Sequence, residues 1–300
     1  MIGGYLGAGK TTLLNRLLRS NQGSRLAVIV NDFGDIGIDA DLVVDRDGDT
    51  INLANGCICC SLSDGLAVVL DGLRERADDI DHVIVEASGV SDPARIGDYS
   101  APFEFQLRGV IVLADAEQIR IRASDKYVGT TVLRQLRGAD LLVLTKVDLV
   151  DGEQLDQVRA WLAGIAPGTP IVEAADGRLA TSIVLGDLEP SAHDARSDPE
   201  HAPDYDVWSG GSPTPLDRTD VTTFVDLLPA GVLRAKGIVH LADDPLHRYV
   251  LQVVGRRSEL TSDRRWRDDE ERTTRLVVLA RPGTLATGTS FAEFARHMLR

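Results

Sequence analysis

The chain has 300 residues, of which 43% are hydrophobic, and this is enough to bury the cores of one large domain and one smaller domain. Its formal net charge of −14 argues against nonspecific binding to nucleic acid or to an anionic membrane surface. The sequence shows no signal segment and no apolar run long enough to span a membrane, so we expect a cytoplasmic protein.

The amino-terminal segment GYLGAGKTT, residues 4–12, has the spacing GxxxxGK[ST] of a phosphate-binding loop. Glycines there let backbone N–H groups surround a β-phosphate, the lysine reaches the β- and γ-phosphate oxygens, and the following threonine binds Mg²⁺. Leucines at helical spacing come next, so a helix is predicted over Thr11 to Arg19. The predicted nucleotide-binding residues are Gly4, Gly7, Ala8, Gly9, Lys10, Thr11 and Thr12, of which Lys10 and Thr11 are also candidate catalytic residues.

Only Met1, Ile2 and Gly3 precede this loop, although a phosphate-binding loop normally follows a buried parallel strand. A missing central strand would leave backbone groups of its neighbours unpaired. We therefore expect the native start to lie upstream of Met1, and we expect a version extended from upstream coding sequence to melt at a higher temperature.

A predicted strand over Arg25 to Val30 leads into Asn31 to Asp39, a segment rich in aspartate and glycine that fits a mobile switch. The acids Asp32, Asp35 and Asp39 are candidates to position water or Mg²⁺, with solvated loop acids as the alternative. Asp32 is included among the candidate catalytic residues.

All three cysteines of the chain lie in the run Gly56-Cys57-Ile58-Cys59-Cys60. A disulfide framework spreads cysteines along a chain, and the adjacent pair Cys59 and Cys60 would form a strained bond. Thiolates this close can share one soft cation such as Zn²⁺, whose fourth ligand is another side chain, water or a partner. Metal binding by Cys57, Cys59 and Cys60 is therefore preferred over a cluster of small buried side chains.

The strand-like run His82 to Val85 follows a predicted helix over Leu62 to Ala77 and ends in Glu86-Ala87-Ser88-Gly89. This position suits Glu86 as a catalytic residue that holds Mg²⁺, directly or through water, and it suits the Gly89 N–H as a sensor of the γ-phosphate. The alternative is an ordinary strand end followed by a turn.

Further along, the apolar run Leu141 to Leu144 ends in Thr145-Lys146-Val147-Asp148, which has the form [NT]KxD. The Asp148 carboxylate can accept two hydrogen bonds from guanine that adenine does not offer, and the Lys146 stem can cover one face of the base. A backbone N–H of Ala174 or Ala175 is a candidate partner for the guanine oxygen. Thr145, Lys146 and Asp148 therefore predict GTP rather than ATP.

Predicted strands and helices alternate through the first part of the chain, so the expected fold class is α/β, a P-loop NTPase-type, mostly parallel sheet with helices on both faces. Its other strands are predicted over Arg108 to Leu113 and Pro170 to Glu173, and its other helices over Thr131 to Leu136 and Gln154 to Ala163. A smaller C-terminal α+β domain follows, with strands over Tyr205 to Ser209, Gly237 to Leu241, Arg248 to Val254 and Arg275 to Ala280 and helices over Val221 to Leu228 and Phe291 to Leu299. The predicted bounds are 1–186 for the first domain, 187–203 for a linker and 204–300 for the second domain.

In combination, GYLGAGKTT, NDFGDIGID, GCICC, EASGVSDP and TKVD resemble the CobW-type family of P-loop GTPases, which includes metallochaperones and cobalamin-pathway proteins. The resemblance covers nearly the whole chain, since Tyr205 to Trp208, Gly231 to Gly237 and Arg265-Trp266 are similar to the C-terminal domain of that family.

Two features depart from the family pattern. Family members commonly have glutamate where this chain has Asp32 and Asp35, which shortens both acids and weakens the case for a metal or water role there. Many members also carry a histidine-rich stretch between the domains, whereas the corresponding segment here has His193 and His201 among acids and prolines. That segment is interpreted as a flexible linker.

The resemblance implies a GTP-hydrolysing metallochaperone that uses GTP and Mg²⁺, binds a thiophilic divalent metal, Zn²⁺ first with Co²⁺ as an option, and delivers it to a client protein. Slow intrinsic hydrolysis is expected, because no glutamine or arginine finger is evident. The alternatives are a cobalt-handling protein of cobalamin biosynthesis, a metal store or sensor indifferent to nucleotide, and a small-molecule kinase, against which TKVD and the cysteines argue. Assembly into a homo-oligomer is left open.

Overall fold

The computed structural model describes residues 1–20, 24–30, 50–52, 69–93, 105–186, 205–287 and 289–298. The chain divides into two compact units, Met1–Thr181 and Ser182–Arg300. The predicted linker over 187–203 lies outside the described residues, so the predicted domain bounds stay a prediction. Within the described ranges, no helix combines the length and the apolar character needed to cross a membrane.

The first unit is an α/β structure whose described strands form one seven-stranded sheet. The strands are β1 (Ile2–Gly4), β2 (Leu26–Val30), β3 (Thr50–Asn52), β4 (His82–Glu86), β5 (Ile111–Asp115), β6 (Leu141–Thr145) and β7 (Ile171–Ala174). The helices are α1 (Lys10–Ser20), α2 (described over 69–74), α3 (Ile119–Ser124), α4 (Gly129–Arg137) and α5 (Gly152–Ile165). A further helix, α6 (Thr181–Leu185), begins at the last residue of this unit, and its other residues belong to the second unit. Single turns of 3₁₀ helix cover Ala77–Asp79, Val147–Leu149 and Ala175–Gly177.

The sheet is parallel throughout its described pairings, and β1 lies at its centre in the order β3-β2-β4-β1-β5-β6-β7. Although β1 is only three residues long, Ile2 is aligned with Glu86 of β4 and with Ile111 of β5. The Ala87 N–H donates to the Ile2 carbonyl oxygen at 2.8 Å, and the Ile111 N–H donates to the Met1 carbonyl oxygen at 2.9 Å. The residues before the loop therefore form a central strand, and the expected start upstream of Met1 stays a prediction.

Both faces of the sheet are covered, as shown by the burial of every residue in β2, β5 and β6. On one face, β5 and β6 pack with α4 and α5 around Val112, Leu136 and Leu162. On that same face, β2 and β4 pack with α2, and Met1 contacts both groups. The opposite face, which includes Leu113, is also buried, and α1 carries the buried residues Leu13, Leu14 and Leu17. The predicted fold class is confirmed.

The second unit contains a five-stranded antiparallel sheet in the order β11-β10-β9-β12-β8. Its strands are β8 (Asp206–Ser212), β9 (Val232–His240), β10 (His247–Val254), β11 (Arg257–Arg265) and β12 (Thr274–Ala280), and its helices are α7 (Arg218–Asp226), α8 (Thr284–Thr287) and α9 (Thr289–Met298). The core between sheet and helices centres on Trp208, Phe224 and Phe291, whose ring centroids lie 5.4 to 5.9 Å apart. Tilted and edge-to-face aromatic contacts of this kind stabilise a core beyond simple area burial.

A charge network ties β10 to β11 at the surface of the second unit. Glu270 accepts hydrogen bonds from Arg264 Nη1 at 2.7 Å and from Arg248 Nη1 at 3.0 Å, and Asp263 pairs with Arg248. The hydrogen bond from Arg264, followed by that from Arg248, lowers the pKa of Glu270 to about 2. In the folded chain, Glu270 therefore stays charged at pH values where an ordinary glutamate is protonated.

Some elements differ from those predicted. The fifth strand covers Ile111–Asp115 rather than Arg108 to Leu113, so it ends on a buried carboxylate that the sequence presented as a loop residue. The strands β3 and β11 and the helix α3 were not predicted, and β9 begins at Val232, ahead of its predicted start. For β11 the reason is its composition, RSELTSDRR, which reflects a place at the edge of the sheet rather than in its core.

Candidate functional site

The phosphate-loop segment connects β1 to α1 at the carboxyl edge of the parallel sheet, where open α/β sheets bind ligands. Gly7 and Gly9 have positive φ angles of 79° and 92°, and a β-carbon built on either glycine meets no atom within 4 Å. The loop therefore offers an open backbone concavity of the kind that receives a phosphate group. The amino end of α1 lies at the same loop and adds the positive end of its dipole.

The side chain of Lys10 is held within this loop. It is 8% exposed, and its Nζ donates a hydrogen bond to the Gly4 carbonyl oxygen at 3.0 Å. Ala8 is buried, whereas Thr11 is partly exposed and Thr12 is exposed in the first turn of α1. A lysine ammonium at the base of an open glycine loop is the arrangement expected for a group that neutralises phosphate charge.

The TKVD segment is joined to the phosphate loop through its threonine. Thr145 is 3% exposed, and its hydroxyl donates to the Ala8 carbonyl oxygen at 2.9 Å, with the Ala114 carbonyl oxygen at 3.3 Å. These bonds connect the end of β6 to the loop and to the end of β5. The Thr145 hydroxyl therefore braces the loop, and its role in nucleotide binding stays a prediction.

Lys146 turns the chain sharply after β6. Its backbone is left-handed, with a φ of 56°, which is uncommon for a residue other than glycine. Its Nζ lies 2.6 Å from Oδ2 of Asp115, the last residue of β5. The other oxygen of Asp115 accepts the N–H groups of Glu117 at 2.9 Å and Gln118 at 3.2 Å. Asp115 is thus a second, unpredicted acid of this site.

A signal for Asp115 was present in the sequence. Neighbouring parallel strands place their carboxyl ends at the same edge, so an acid that ends β5 lies beside the lysine that follows β6. The strand predicted over Arg108 to Leu113 stops short of Asp115, which leaves this acid outside the predicted site.

Asp148 remains accessible at the surface of this edge. It is exposed, and its Oδ1 accepts the Asp176 N–H at 3.4 Å. Asp176 has a left-handed backbone with a φ of 49° and pairs with Arg16 of α1. Ala175, whose N–H is a candidate partner for the guanine oxygen, precedes Asp176 and is exposed, whereas Ala174 is fully buried. The TKVD carboxylate and the turn after β7 therefore meet at one place.

A cleft of about 140 Å³ lies between the phosphate loop, the β5–α3 connection and Lys146. Its lining residues are Tyr5, Leu6, Gly7, Ala8, Asp115, Gln118, Ile119, Arg122 and Lys146. The Arg122 guanidinium carbon stands 5.9 Å from the centre of the Tyr5 ring, a cation–π distance. The cleft thus joins residues of the phosphate loop to the lysine of TKVD.

Glu86 and Gly89 lie on the other side of the loop. Glu86 is 2% exposed at the carboxyl end of β4, in register with Ile2 of β1. A β-carbon built on Gly89 would lie 2.7 Å from the Leu6 backbone nitrogen, so only glycine permits this close approach to the phosphate loop. The Ser88 hydroxyl is buried and has no hydrogen-bond partner in the described part of the chain. An orphaned hydroxyl beside the loop fits a site whose remaining partner is a ligand.

A residue that sequence reasoning missed holds the Gly89 segment. Gln135 of α4 is 2% exposed, and its Nε2 donates to the Gly89 carbonyl oxygen at 3.1 Å and to the Ser91 carbonyl oxygen at 2.6 Å. Nothing in the sequence around Gln135 indicated this contact, because it joins residues that are far apart in the chain.

Several predicted site residues lie outside the described ranges. They are Asp32, with the rest of Asn31 to Asp39, and the three cysteines Cys57, Cys59 and Cys60. Within the described ranges, no group of three histidine, cysteine or acidic side chains is placed to hold a metal ion. The metal-binding and switch roles of these residues stay predictions.

Comparison with known families covers both units. The model described as "CobW/HypB/UreG, nucleotide-binding domain" matches residues 1–173, and the model described as "Cobalamin synthesis protein cobW C-terminal domain" matches residues 206–287. The first match includes the phosphate loop, the cysteine run and TKVD.

Individual relatives align over most of the chain. A Sinorhizobium sp protein described as "Zinc chaperone CobW" is 32% identical over 93% of this chain and 91% of its own. "Zinc chaperone YjiA" of Escherichia coli strain K12 is 30% identical over 93% and 92% of the two chains. A solved structure described as "Crystal structure of Zn(II)-bound YjiA GTPase from E. coli" is 25% identical over 98% and 97% of the two chains, with a TM-score of 0.44.

Proposed function

The chain belongs to the CobW/HypB/UreG family, and from that premise we propose that it is a GTP-hydrolysing metallochaperone. It binds a thiophilic divalent metal, zinc in the first place, and delivers that metal to a client protein. The observation that carries the nucleotide part is the Thr145 hydroxyl bond to Ala8, which joins the guanine-type TKVD segment to the phosphate loop.

The described residues fit GTP and Mg²⁺ on several independent points. Gly7 and Gly9 leave the loop concavity open, and Lys10 is already placed at its base. Asp148 is exposed where the TKVD segment meets the turn after β7, which is where the base would bind. In this proposal, Thr11 and Glu86 hold Mg²⁺, which would neutralise charge that develops on the phosphate oxygens.

Two observations support the proposed metal binding: the chemistry of the cysteine side chains and the similarity to relatives. Three cysteines within four residues supply thiolates that suit Zn²⁺, with Co²⁺ as a second candidate. Aligned relatives covering 93% of this chain are described as zinc chaperones. We assign Cys57, Cys59 and Cys60 as the cargo ligands, and Asn31 to Asp39 as the switch that passes the nucleotide state to them.

The finer features follow from the same proposal. Intrinsic hydrolysis is slow, because the sequence shows no evident glutamine or arginine finger. An arginine supplied in trans accelerates such reactions by about 10³ to 10⁵, so bound metal or the client stimulates hydrolysis. Unpaired cysteine thiols work best in a reducing compartment, which favours the cytoplasm. The segment 187–203 serves as the linker between the two domains, and self-association remains compatible with the proposal.

The test is a zinc titration of the full chain with GTP, with GDP and without nucleotide, accompanied by GTP turnover. Wild type should bind one zinc ion with an affinity that differs between GTP and GDP. Cys57→Ser/Cys59→Ser/Cys60→Ser should lose the zinc ion and keep GDP binding. Asp148→Asn should keep the zinc ion and lose its preference for guanine over adenine nucleotides, and it is the matched control for the cysteine variant.

Other results of these assays would favour an alternative function or would overturn the assignment of the ligands. Equal zinc affinity in all three nucleotide states would indicate a store or sensor and would refute the chaperone proposal. A stronger response to Co²⁺ than to Zn²⁺ would favour the cobalt-handling alternative. Metal-stimulated turnover that survives in the triple cysteine variant would show that the cargo ligands have been wrongly assigned.

A further inference from the structure

Asp115 is an acid that no nucleotide-binding motif of the sequence contains. It ends β5, is 7% exposed, and directs its two oxygens to different partners. Oδ1 accepts the N–H groups of Glu117 and Gln118, which forms a tight turn, and Oδ2 lies 2.6 Å from Lys146 Nζ. A carboxylate that is nearly buried and bonded at both oxygens holds a fixed position.

The ion pair with Asp115 restricts the rotamers that the Lys146 side chain can adopt. The Lys146 side chain is 37% exposed, whereas that of Asp115 is 10% exposed. An unanchored lysine samples many rotamers and would present its ammonium group to any nearby anion. With Nζ held at the end of β5, the methylene stem is confined to the cleft that Tyr5 to Ala8 also line.

We propose that Asp115 is a positioning residue that fixes Lys146 against the guanine ring and thereby sets the base selectivity of the nucleotide site. The inference rests on the proposed function, because it requires TKVD to bind a guanine nucleotide. The pinned stem holds the purine in the position at which Asp148, two residues later, accepts hydrogen bonds from guanine. Adenine lacks the donors for those bonds, so it gains less from this placement. Charge pairing also leaves Lys10 to attract the phosphates, so a nucleotide bound in the reverse direction is disfavoured.

The decisive variant is Asp115→Asn in the full chain. The asparagine oxygen can still accept from Glu117 and Gln118, so the turn is retained, but its NH₂ group cannot accept from Lys146. We expect the Kd for GDP, measured by calorimetry with Mg²⁺, to rise about tenfold, which corresponds to about 1.4 kcal/mol. The Kd for ADP should change little, so the ratio of the two constants falls by a similar factor.

Asp125 provides a matched control. Its Oδ1 accepts the N–H groups of Tyr127 at 2.8 Å and Val128 at 3.1 Å, the same two-bond turn that Asp115 forms. Asp125→Asn makes the same chemical change outside the lining of the cleft. It should leave both nucleotide affinities at their wild-type values.

A double-mutant cycle tests whether Asp115 acts through Lys146. Lys146→Met keeps the apolar stem and removes the charge that Asp115 holds. If the acid works only by positioning the lysine, then Asp115→Asn should add no further loss in the Lys146→Met background, as expected for coupled residues. If the double variant instead loses selectivity by the product of the two single-variant factors, the two residues act independently and the inference is overturned.

The outcomes separate this inference from the proposed function. Wild type that shows no preference for GDP over ADP would refute the proposed function. Wild type with that preference, retained by Asp115→Asn, would overturn the role of Asp115 alone. If Asp115→Asn fails to fold, as judged by its melting temperature, Lys146→Met is compared with wild type instead: a lower selectivity ratio is expected, and an unchanged ratio overturns the inference.

Discussion

Replacing Gly89 with alanine should strain the contact between the strand-end segment after β4 and the phosphate loop. The new β-carbon would lie 2.7 Å from the Leu6 backbone nitrogen and 2.6 Å from Leu6 Cδ2. The first distance is about 0.7 Å short of the 3.4 Å at which ordinary contact begins. Leu6 is 56% exposed, so its side chain can move aside, but its backbone nitrogen belongs to the loop and cannot move without reshaping it.

An extra carbon atom inserted into a packed region lowers the free energy of unfolding by about 1 to 3 kcal/mol. In a unit of this size, each kcal/mol lowers the melting temperature by about 2 to 4 °C. Gly89→Ala should therefore melt about 2 to 12 °C below wild type and bind GDP more weakly, since the displaced residue is part of the loop. The assays are thermal melting followed by circular dichroism and GDP titration.

Gly164→Ala is the control for this substitution. Gly164 lies in α5 with no atom within 4 Å of the added β-carbon, so the gain in helix propensity should raise stability by up to about 1 kcal/mol. The combination Leu6→Ala/Gly89→Ala removes the side-chain clash and leaves the backbone clash, so it should still melt below Leu6→Ala. A Gly89→Ala variant that melts with wild type would refute the reasoning.

Two further predictions concern buried or paired side chains. Gln135→Leu should lower stability by about 1 to 3 kcal/mol, because the Gly89 and Ser91 carbonyl groups lose their donor. Its control, Gln157→Leu at an exposed position, should change stability by less than about 0.5 kcal/mol, and equal melting temperatures of the two variants would contradict this prediction. Glu270→Gln should destabilise the chain by about 1 to 2 kcal/mol at pH 7 after allowance for solvent screening. The folded pKa of Glu270, about 2, lies below its ordinary value of 4.5, so this difference should persist above about pH 5 and shrink as pH falls toward 2 in urea titrations. A difference that stays constant down to pH 3 would show that charge is not its source.

The sequence predicted most of the parallel sheet because its signals are local. Buried strands such as Leu141–Thr145 are continuous apolar runs, and GxxxxGK[ST] ties a loop geometry to a spacing of glycines. The same reasoning failed for β1, where three residues are too few to show any pattern. Their place at the centre of the sheet is set by neighbours on both sides.

The features that were missed depend on contacts between distant parts of the chain. Asp115 becomes part of the site because β5 pairs with β6, and Gln135 because α4 packs beside the segment after β4. Neither residue belongs to a motif, and the place of Asp115 in the site follows only once β5 is paired with β6. The polar strand β11 was missed for a related reason, since its alternation is obscured by charges that only make sense at the edge of a sheet.

The charged composition of β11 bears on how the protein behaves at high concentration. It is the outermost strand on its side of the described antiparallel sheet, and an outer strand offers free backbone groups to any other extended chain. Asp263 and Arg264 on this strand would have to give up hydration or their partners if a foreign strand docked alongside. That desolvation penalty disfavours cross-β association, so the charged residues of β11 protect against aggregation as well as stabilising the fold.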